Sequence, residues 1–421
     1  MSTVHDVRPG PAAATWGEAR LLAGTAAGRV DLAHHRATHG RPARLDAAST
    51  TAALARVALL GRGGAAFPVA TKLGAVATGP RTHVLVNGSE GEPASLKDRT
   101  LMQLAPHLVL DGALAVAAAL DTRQVTVVVQ DAAAHHALRA AVAERDDAHD
   151  VRLQLRPHGF VAGEVRAVVR AASGGPALPP GRRTLPTVDG VDGRPTFASN
   201  AETFAQVALV LCLGPDRFAS VGAADEPGTT LVTLVGDVHR PGVVEVPTGL
   251  PLAALVGGGP GPVLVGGYHG TWLAGPGSLT LSRPAMRAAG VPLNAGVLAR
   301  LPHATCALGE VAAVARWLAA ESAGQCGPCV FGLPGLAATL DGLLAGQPVL
   351  AHARQRAGLL PGRGACAHPD GAARFVATAL DALGDEVERH RTHGHCGRPV
   401  RGVLPLPLPL PRPTTRPEAA R

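Results

Sequence analysis

The sequence predicts an α/β fold with a mostly parallel sheet, then a small α+β unit, then a C-terminal helical bundle. Three observations carry this. Helix-period and strand-like segments alternate from about Thr51 to Leu155. The composition shifts near Gly228, where LVTLVGDV and VVEVP flank the turn His239-Arg240-Pro241-Gly242. Beyond Glu310, amphipathic stretches are separated by Gly and Pro.

Helical apolar spacing over Thr51–Leu60 runs directly into GRGGAAFP at Gly61–Pro68, and His83–Val86 reads as a short buried strand. Ala113–Leu120 and Ala132–Ala143 continue as helices, and Gln124–Val129 and Val151–Leu155 as strands. Ser173–Pro195, rich in Gly, Pro and Arg, is expected to drape irregularly over the sheet before an apolar helix from about Asn200 to Leu213. A hairpin and a short helix near Leu252 make the α+β unit, and Glu310–Ala320, Leu333–Leu344, Ala351–Leu359 and Ala372–His390 make the bundle. LPLPLPLPRP has no means of building a core and predicts a mobile tail. The expected segments are 1–225, 226–300, 301–390 and 391–421.

A chain of 421 residues exceeds what one hydrophobic core usually serves, in line with several units. The net charge of +7 comes from arginines scattered through apolar helical patterns and not gathered into one stripe, which argues against nucleic acid as a partner. No apolar run of membrane-spanning length and no signal core at Met1–Gly10 are visible, so a cytoplasmic protein without a transmembrane segment is expected. Six cysteines, two of them in a C-x-x-C pair, point to metal or redox chemistry more than to a secreted disulfide framework.

Two segments carry the chemistry. In GRGGAAFPVATK the glycines allow backbone N–H groups to approach an anion or a ring, with Arg62 and Lys72 supplying positive charge. The chain contains only two lysines, Lys72 and Lys97, which marks both as positions that need an ammonium. NGSEGEPASLKDR, Asn87–Arg99, follows a strand and brings carboxylates and a turn-forming Gly-Glu-Pro. Taken singly, the loop reads as a tight strand-to-helix turn, Glu90 and Glu92 as a solvated turn, and Lys97 and Asp98 as exposed helix charges. Cys212 and Cys306 read as small buried hydrophobes without a role. His34, His35, His135 and His136 read as surface residues, and Tyr268 as a packed turn.

With both segments in one chain, the sequence resembles the NADH-oxidising flavin subunit of respiratory complex I and its soluble hydrogenase and formate dehydrogenase relatives. Further matches follow in order: GFVAGE at Gly159–Glu164, GVDGRPTFASNAET at Gly190–Thr203 and ESAGQCGPC at Glu321–Cys329. The resemblance implies a doubly wound domain for flavin mononucleotide (FMN), a β-grasp-like (SLBB-type) domain and a bundle holding a 4Fe-4S cluster. It assigns Gly61, Arg62, Gly63, Gly64 and Lys72 to the flavin loop, with Asn87, Ser89, Glu90, Gly91, Asn200 and Thr203 lining the flavin. Phe67 and Glu92 fall on the nicotinamide side, and Phe160, Gly163 and Glu164 complete the cofactor-binding set. No side chain is assigned covalent catalysis; the protein would stack NADH on the flavin and tune it.

The chain departs from the family at several positions. Ala66 stands for a Gly, Ser89 for an Asp and Ser199 for an Asn; Phe160 stands for a Tyr and Val165 for a second Glu; Leu73 and Ala75 replace aromatics able to sandwich an adenine. Ala323 replaces the first of three patterned cysteines, leaving Cys326, Cys329 and the distant Cys366. Cys396 is the candidate fourth metal ligand, with His393 and His395 as alternative nitrogen donors to zinc. The expected function is an FMN-dependent NADH:acceptor oxidoreductase, or an electron-input component that delivers to an iron–sulfur cluster or a ferredoxin-like or thioredoxin-like partner. The alternative is a degenerate flavin-binding or docking scaffold without NADH oxidation.

Overall fold

The computed structural model describes residues 13–181, 184–259 and 261–407; Met1–Gly10, read for a signal, and the last part of the proline-rich tail lie outside them. Four parallel strands form the first sheet, in the order Arg152–Leu155, Val125–Val129, His83–Gly88, Thr196–Asn200. Parallel strands need crossovers, and the helices that supply them cover both faces. Alternation along each strand sorts the side chains. Val84, Val86, Val127, Val129 and Phe197 pack toward helices Pro106–Ala119, Ala132–Ala143 and Ala201–Leu213, while Leu85, Val128 and Ala198 pack toward helix Val165–Ala172. The unit is doubly wound, as the sequence predicts.

The strand Thr196–Asn200 differs from the sequence expectation, which left the region up to Asn200 irregular. Five residues pass straight into the Ala201–Leu213 helix, too short a run to display period-two alternation. This strand matters because the chain builds outward from His83–Gly88 in one direction and then returns to its other side. The winding therefore reverses between His83–Gly88 and Thr196–Asn200, which opens a crevice beyond their carboxyl ends.

A mixed six-stranded sheet follows, in the order Ala13–Thr15, Gly242–Pro247, Thr229–Gly236, Val297–Arg300, Val263–Val265, Thr271–Leu273. Its edge strand Ala13–Thr15 comes from the start of the chain and pairs parallel with Gly242–Pro247. Helices Ala307–Ala320, Leu333–Leu344, Leu350–Leu359, His368–Ala382 and Gly384–His393 form the bundle around Trp317 and Phe375.

The tail departs from the expectation of mobility as far as residue 407. Glu310 accepts from the Arg401, Gly402 and Leu404 N–H groups, Tyr268 Oη donates to the Pro405 carbonyl at 2.6 Å, and Leu404 is buried. Prolines leave few backbone donors, so the segment is held as a strap by the donors that precede them.

Two further sequence readings are corrected. Lys97 and Asp98 are buried rather than exposed: Lys97 Nζ donates to Asp98 Oδ2 and Glu202 Oε2, each at 2.9 Å. His35 is buried against Asp111, which Arg36 and Arg145 also contact.

The two sheets meet partly through Glu92, whose Oε2 accepts from Tyr268 N at 2.7 Å and Oε1 from Ala94 N at 3.2 Å. Burial outweighs these donors and pushes its carboxyl up to about 8. An acid raised by folding is protonated in the native state, so its contribution is fully present below 4.5 and is lost as pH rises toward about 8. Urea unfolding across that window should show wild type losing stability, by up to a few kcal/mol, relative to Glu92→Gln; parallel pH profiles would contradict the assignment.

Gly112 lets helices Pro106–Ala119 and Ala201–Leu213 cross closely: a β-carbon there would lie 1.8 Å from the Phe204 carbonyl oxygen. Gly112→Ala should cost about 1–3 kcal/mol. Gly358→Ala, facing open space in helix Leu350–Leu359, should be neutral or stabilising by about 0.5 kcal/mol. Thermal melts of the two variants check the contrast.

Candidate functional site

At the reversal of winding, Asn87 and Asn200 are register partners on adjacent strands. Asn87 Nδ2 donates to the Gly163 carbonyl at 2.9 Å, and its Oδ1 accepts from Ser89 N at 3.0 Å. This draws the Asn87–Pro93 bend onto the Gly159–Glu164 turn. The approach needs Gly91, where a β-carbon would lie 2.5 Å from the Phe160 carbonyl oxygen and 2.7 Å from that of Gly159.

Asn200 anchors the other side. Its Nδ2 donates to both Asp98 oxygens, at 3.2 and 3.0 Å, and its Oδ1 accepts from the Thr203 hydroxyl. Thr203 Oγ1 in turn accepts from Arg62 N at 2.8 Å. The Gly61–Phe67 loop is thereby tied to the end of the strand that neighbours Asn87. Its ends close on each other, Gly61 N donating to the Phe67 carbonyl at 3.0 Å. Ala66, where the family carries Gly, has a φ of 44°, in the left-handed region that favours glycine.

The loop's outer side is open. A β-carbon at Gly63 would meet nothing within 4 Å, and one at Gly64 only Asn294 Oδ1 at 4.0 Å. Glycines that no neighbouring protein atom requires leave room for another molecule to come against the backbone. Asn294 was not singled out in the sequence, although a signal existed: the chain holds three asparagines, Asn87, Asn200 and Asn294, and all three come to this crevice.

The two lysines separate cleanly. Burial works against the Lys97 charge, but the Asp98 and Glu202 carboxylates override it and raise its pKa. Lys72 Nζ donates to the Ala198 carbonyl at 3.1 Å and lies 5.9 Å from the Phe197 ring centroid. Among the described residues no carboxylate pairs with it, and burial lowers its pKa. A half-buried ammonium beside open glycine backbone is chemistry suited to an anionic or electron-rich group. The donor set thus fits a flavin phosphate or ring.

Other predicted site residues are turned to the protein itself. Arg62, fully buried, pairs with Glu226, which also binds Arg283 N and Nη1 at 2.6 Å. Its backbone shapes the loop while its charge is neutralised elsewhere, unlike the free positive charge expected from the sequence. Glu90 accepts from Ser95 Oγ, Asp98 N, Arg99 N and Arg99 Nε. Glu164 caps helix Val165–Ala172 through Arg166 N and Ala167 N. Phe160 packs its ring edge-on against His269, Trp317 and His368. Leu73 is buried in the core, so it offers no adenine face. Phe67 is 47% exposed at the lip of the loop.

In the bundle, Cys326 and Cys329 place their Sγ atoms 3.5 Å apart just before a π turn that opens the next helix. Burial pushes the Cys329 thiol up to about 12, with Cys326 and Cys366 adding to the rise, and burial raises Cys366 as well. Mutually felt thiols of this kind suit a soft metal centre. Cys396, the expected fourth ligand, is instead grouped with Cys306, Glu386 and His390.

Residues 54–209 match the model of the Nuo51 FMN-binding domain, and residues 304–390 that of the NADH-ubiquinone oxidoreductase-F iron-sulfur binding region. The NADH-quinone oxidoreductase-F 2 protein of Rhizobium meliloti is 29% identical, over 80% of this chain and 87% of its own. The crystal structure of the NAD+-reducing [NiFe]-hydrogenase in the H2-reduced state superposes with a TM-score of 0.72 at 26% identity, over 84% of this chain; this chain spans only 64% of that one. The NADH-quinone oxidoreductase-F protein of Streptomyces coelicolor is 31% identical, over 80% of this chain and 82% of its own. These likenesses favour the redox reading over a docking scaffold, and the chain belongs to the NADH-quinone oxidoreductase-F family.

Proposed function

We propose that this chain oxidises NADH on FMN held between the Gly61–Phe67 loop and the Asn87–Pro93 bend, and passes the electrons to an iron–sulfur centre at Cys326, Cys329 and Cys366. The observation that carries it is the convergence of loop and bend on one crevice beside Lys72, an ammonium without a carboxylate among the described residues. Bound FMN supplies a ring that accepts hydride and releases electrons singly.

The protein's own residues hold and orient. Gly63 and Gly64 present open backbone, and Lys72 supplies positive charge near the strand ends. Asn87 and Asn200 act as positioning residues, because their amides are committed to Gly163, Ser89, Asp98 and Thr203. Phe67 offers an exposed aromatic face for the nicotinamide, whereas the adenine end meets no aromatic at Leu73 or Ala75. Cys326, Cys329 and Cys366 supply three thiolates, and Ala323 leaves the fourth corner without one.

The segment 1–225 binds FMN and NADH, 226–300 is the SLBB-type β-grasp unit, and 301–390 carries the iron–sulfur cysteines. A ferredoxin-like or thioredoxin-like iron–sulfur subunit takes the electrons, in keeping with relatives whose names mark them as subunits. We place the protein in the cytoplasm, where NADH is available and free thiols persist. No single helix among the described residues is long and apolar enough to cross a membrane.

Purified protein should be yellow and should bleach on anaerobic addition of NADH; a preparation colourless after flavin and cluster reconstitution would oppose the reading. Lys72→Ala should weaken FMN retention at least about tenfold, equivalent to about 1.4 kcal/mol. Arg56→Ala, on an exposed helix surface, should leave it unchanged. Equal flavin occupancy in the two variants would remove Lys72 from the site.

A further inference from the structure

The bundle contains a second group of metal-capable side chains, apart from the three patterned cysteines. The donor atoms of Cys306, Glu386, His390 and Cys396 all lie within 4.8 Å of one another. Cys306, Glu386 and His390 are buried, and Cys396 is half-buried. They come from three places: Cys306 at the start of helix Ala307–Ala320, Glu386 and His390 one turn apart on helix Gly384–His393, and Cys396 just past that helix's glycine C-cap. The i, i+4 spacing puts Glu386 and His390 on one face.

The surroundings orient each donor. His390 Nδ1 lies 3.0 Å from the Leu344 carbonyl, which only accepts, so Nδ1 carries the proton. The Nε2 lone pair is then left pointing into the group, 3.3 Å from Cys306 Sγ. A histidine held this way through its other nitrogen is the usual arrangement behind a metal ligand. Burial pushes the unliganded Cys306 thiol up to about 12, a balance that a bound cation reverses. Cys306 Sγ also accepts from Gly309 N at 3.3 Å at a helix N-terminus, which works toward the thiolate. Glu386 is fixed by Leu308 N at 2.8 Å and Arg398 Nη2 at 2.5 Å, and the guanidinium offsets the negative charge of the set.

We propose that Cys306, His390, Cys396 and Glu386 bind a structural zinc ion. Two thiolates, one imidazole and a carboxylate match tetrahedral zinc, whose ligand atoms stand roughly 3.3–3.8 Å apart given the bond lengths involved. Small inward movements of the side chains suffice. Binding displaces the two thiol protons and forms two Zn–S bonds, one Zn–N and one Zn–O bond, with no change of oxidation state. Every protein position is closed, so the ion holds structure and does no chemistry. It pins the segment after residue 394 to the bundle, where the Pro399 carbonyl already accepts from Cys306 N at 2.9 Å and Glu310 holds the strap beyond.

The test measures zinc and iron together on the full-length protein, after gel filtration over a chelator. Wild type should keep about one zinc per chain. Cys396→Ser should lose most of the zinc and keep its iron, while Cys326→Ser should do the reverse. Cobalt(II) added to zinc-free protein should give the intense visible bands of a tetrahedral thiolate site, absent in Cys396→Ser and present in Cys326→Ser; this readout stands even where a Cys306 variant fails to fold. Zinc-free wild type that also yields no cobalt bands would overturn the site. So would iron loss in Cys396→Ser, which makes that cysteine a cluster ligand, or an intact mass lighter by two hydrogens from a Cys306–Cys396 disulfide. Loss of flavin with zinc retained would count against the proposed redox function and leave this site standing.

Discussion

The candidate site depends on a buried set of charges that locks the two sheets together. Lys97 stands between Asp98 and Glu202; Asp98 holds the Asn200 amide and Glu202 N; Glu202 holds Thr230 Oγ1 and Leu231 N on the second sheet. Removing one partner of such a group leaves an uncompensated buried charge and costs about 3–5 kcal/mol. The same contacts set where Asn200, Thr203 and the glycine loop lie. Stability and site geometry therefore rest on one network, and a change in it moves both.

This arrangement separates residues that hold from residues that meet a ligand. Arg62, Glu90, Glu92 and Glu164 all lie in the motifs, yet their polar atoms are engaged by protein partners. The groups left facing open space are the backbone of Gly63 and Gly64, the Lys72 ammonium and the Phe67 ring. A flavin site made of backbone and one ammonium tolerates the family departures at Ser89, Val165 and Ala66, because none of the three removes those groups.

Much of this was legible in the sequence, because glycine loops and the NGSEGEP bend impose local geometry that residue type alone reveals. The parallel strands His83–Gly88 and Val125–Val129 show as short apolar runs for the same reason. The strand Thr196–Asn200 does not, since it is short and merges into a helix, and with it goes the position of the crevice. Burial of Lys97 and Asp98 is equally hidden: a charge pair reads as solvated until its long-range partner, Glu202, is known. Cys306 and Cys396, 90 positions apart in the chain, show no spacing pattern, and only the packing of helix Gly384–His393 on helix Ala307–Ala320 brings them together.

The central claim is that the bends around Gly64 and Gly91 act as two sides of one flavin cradle. Hydrogen–deuterium exchange with and without FMN reads both at once. The account predicts that amides in 61–67 and in 87–92 gain protection together, with the exchange of helix Leu350–Leu359 unchanged. Protection confined to one bend, or appearing only elsewhere, would contradict it.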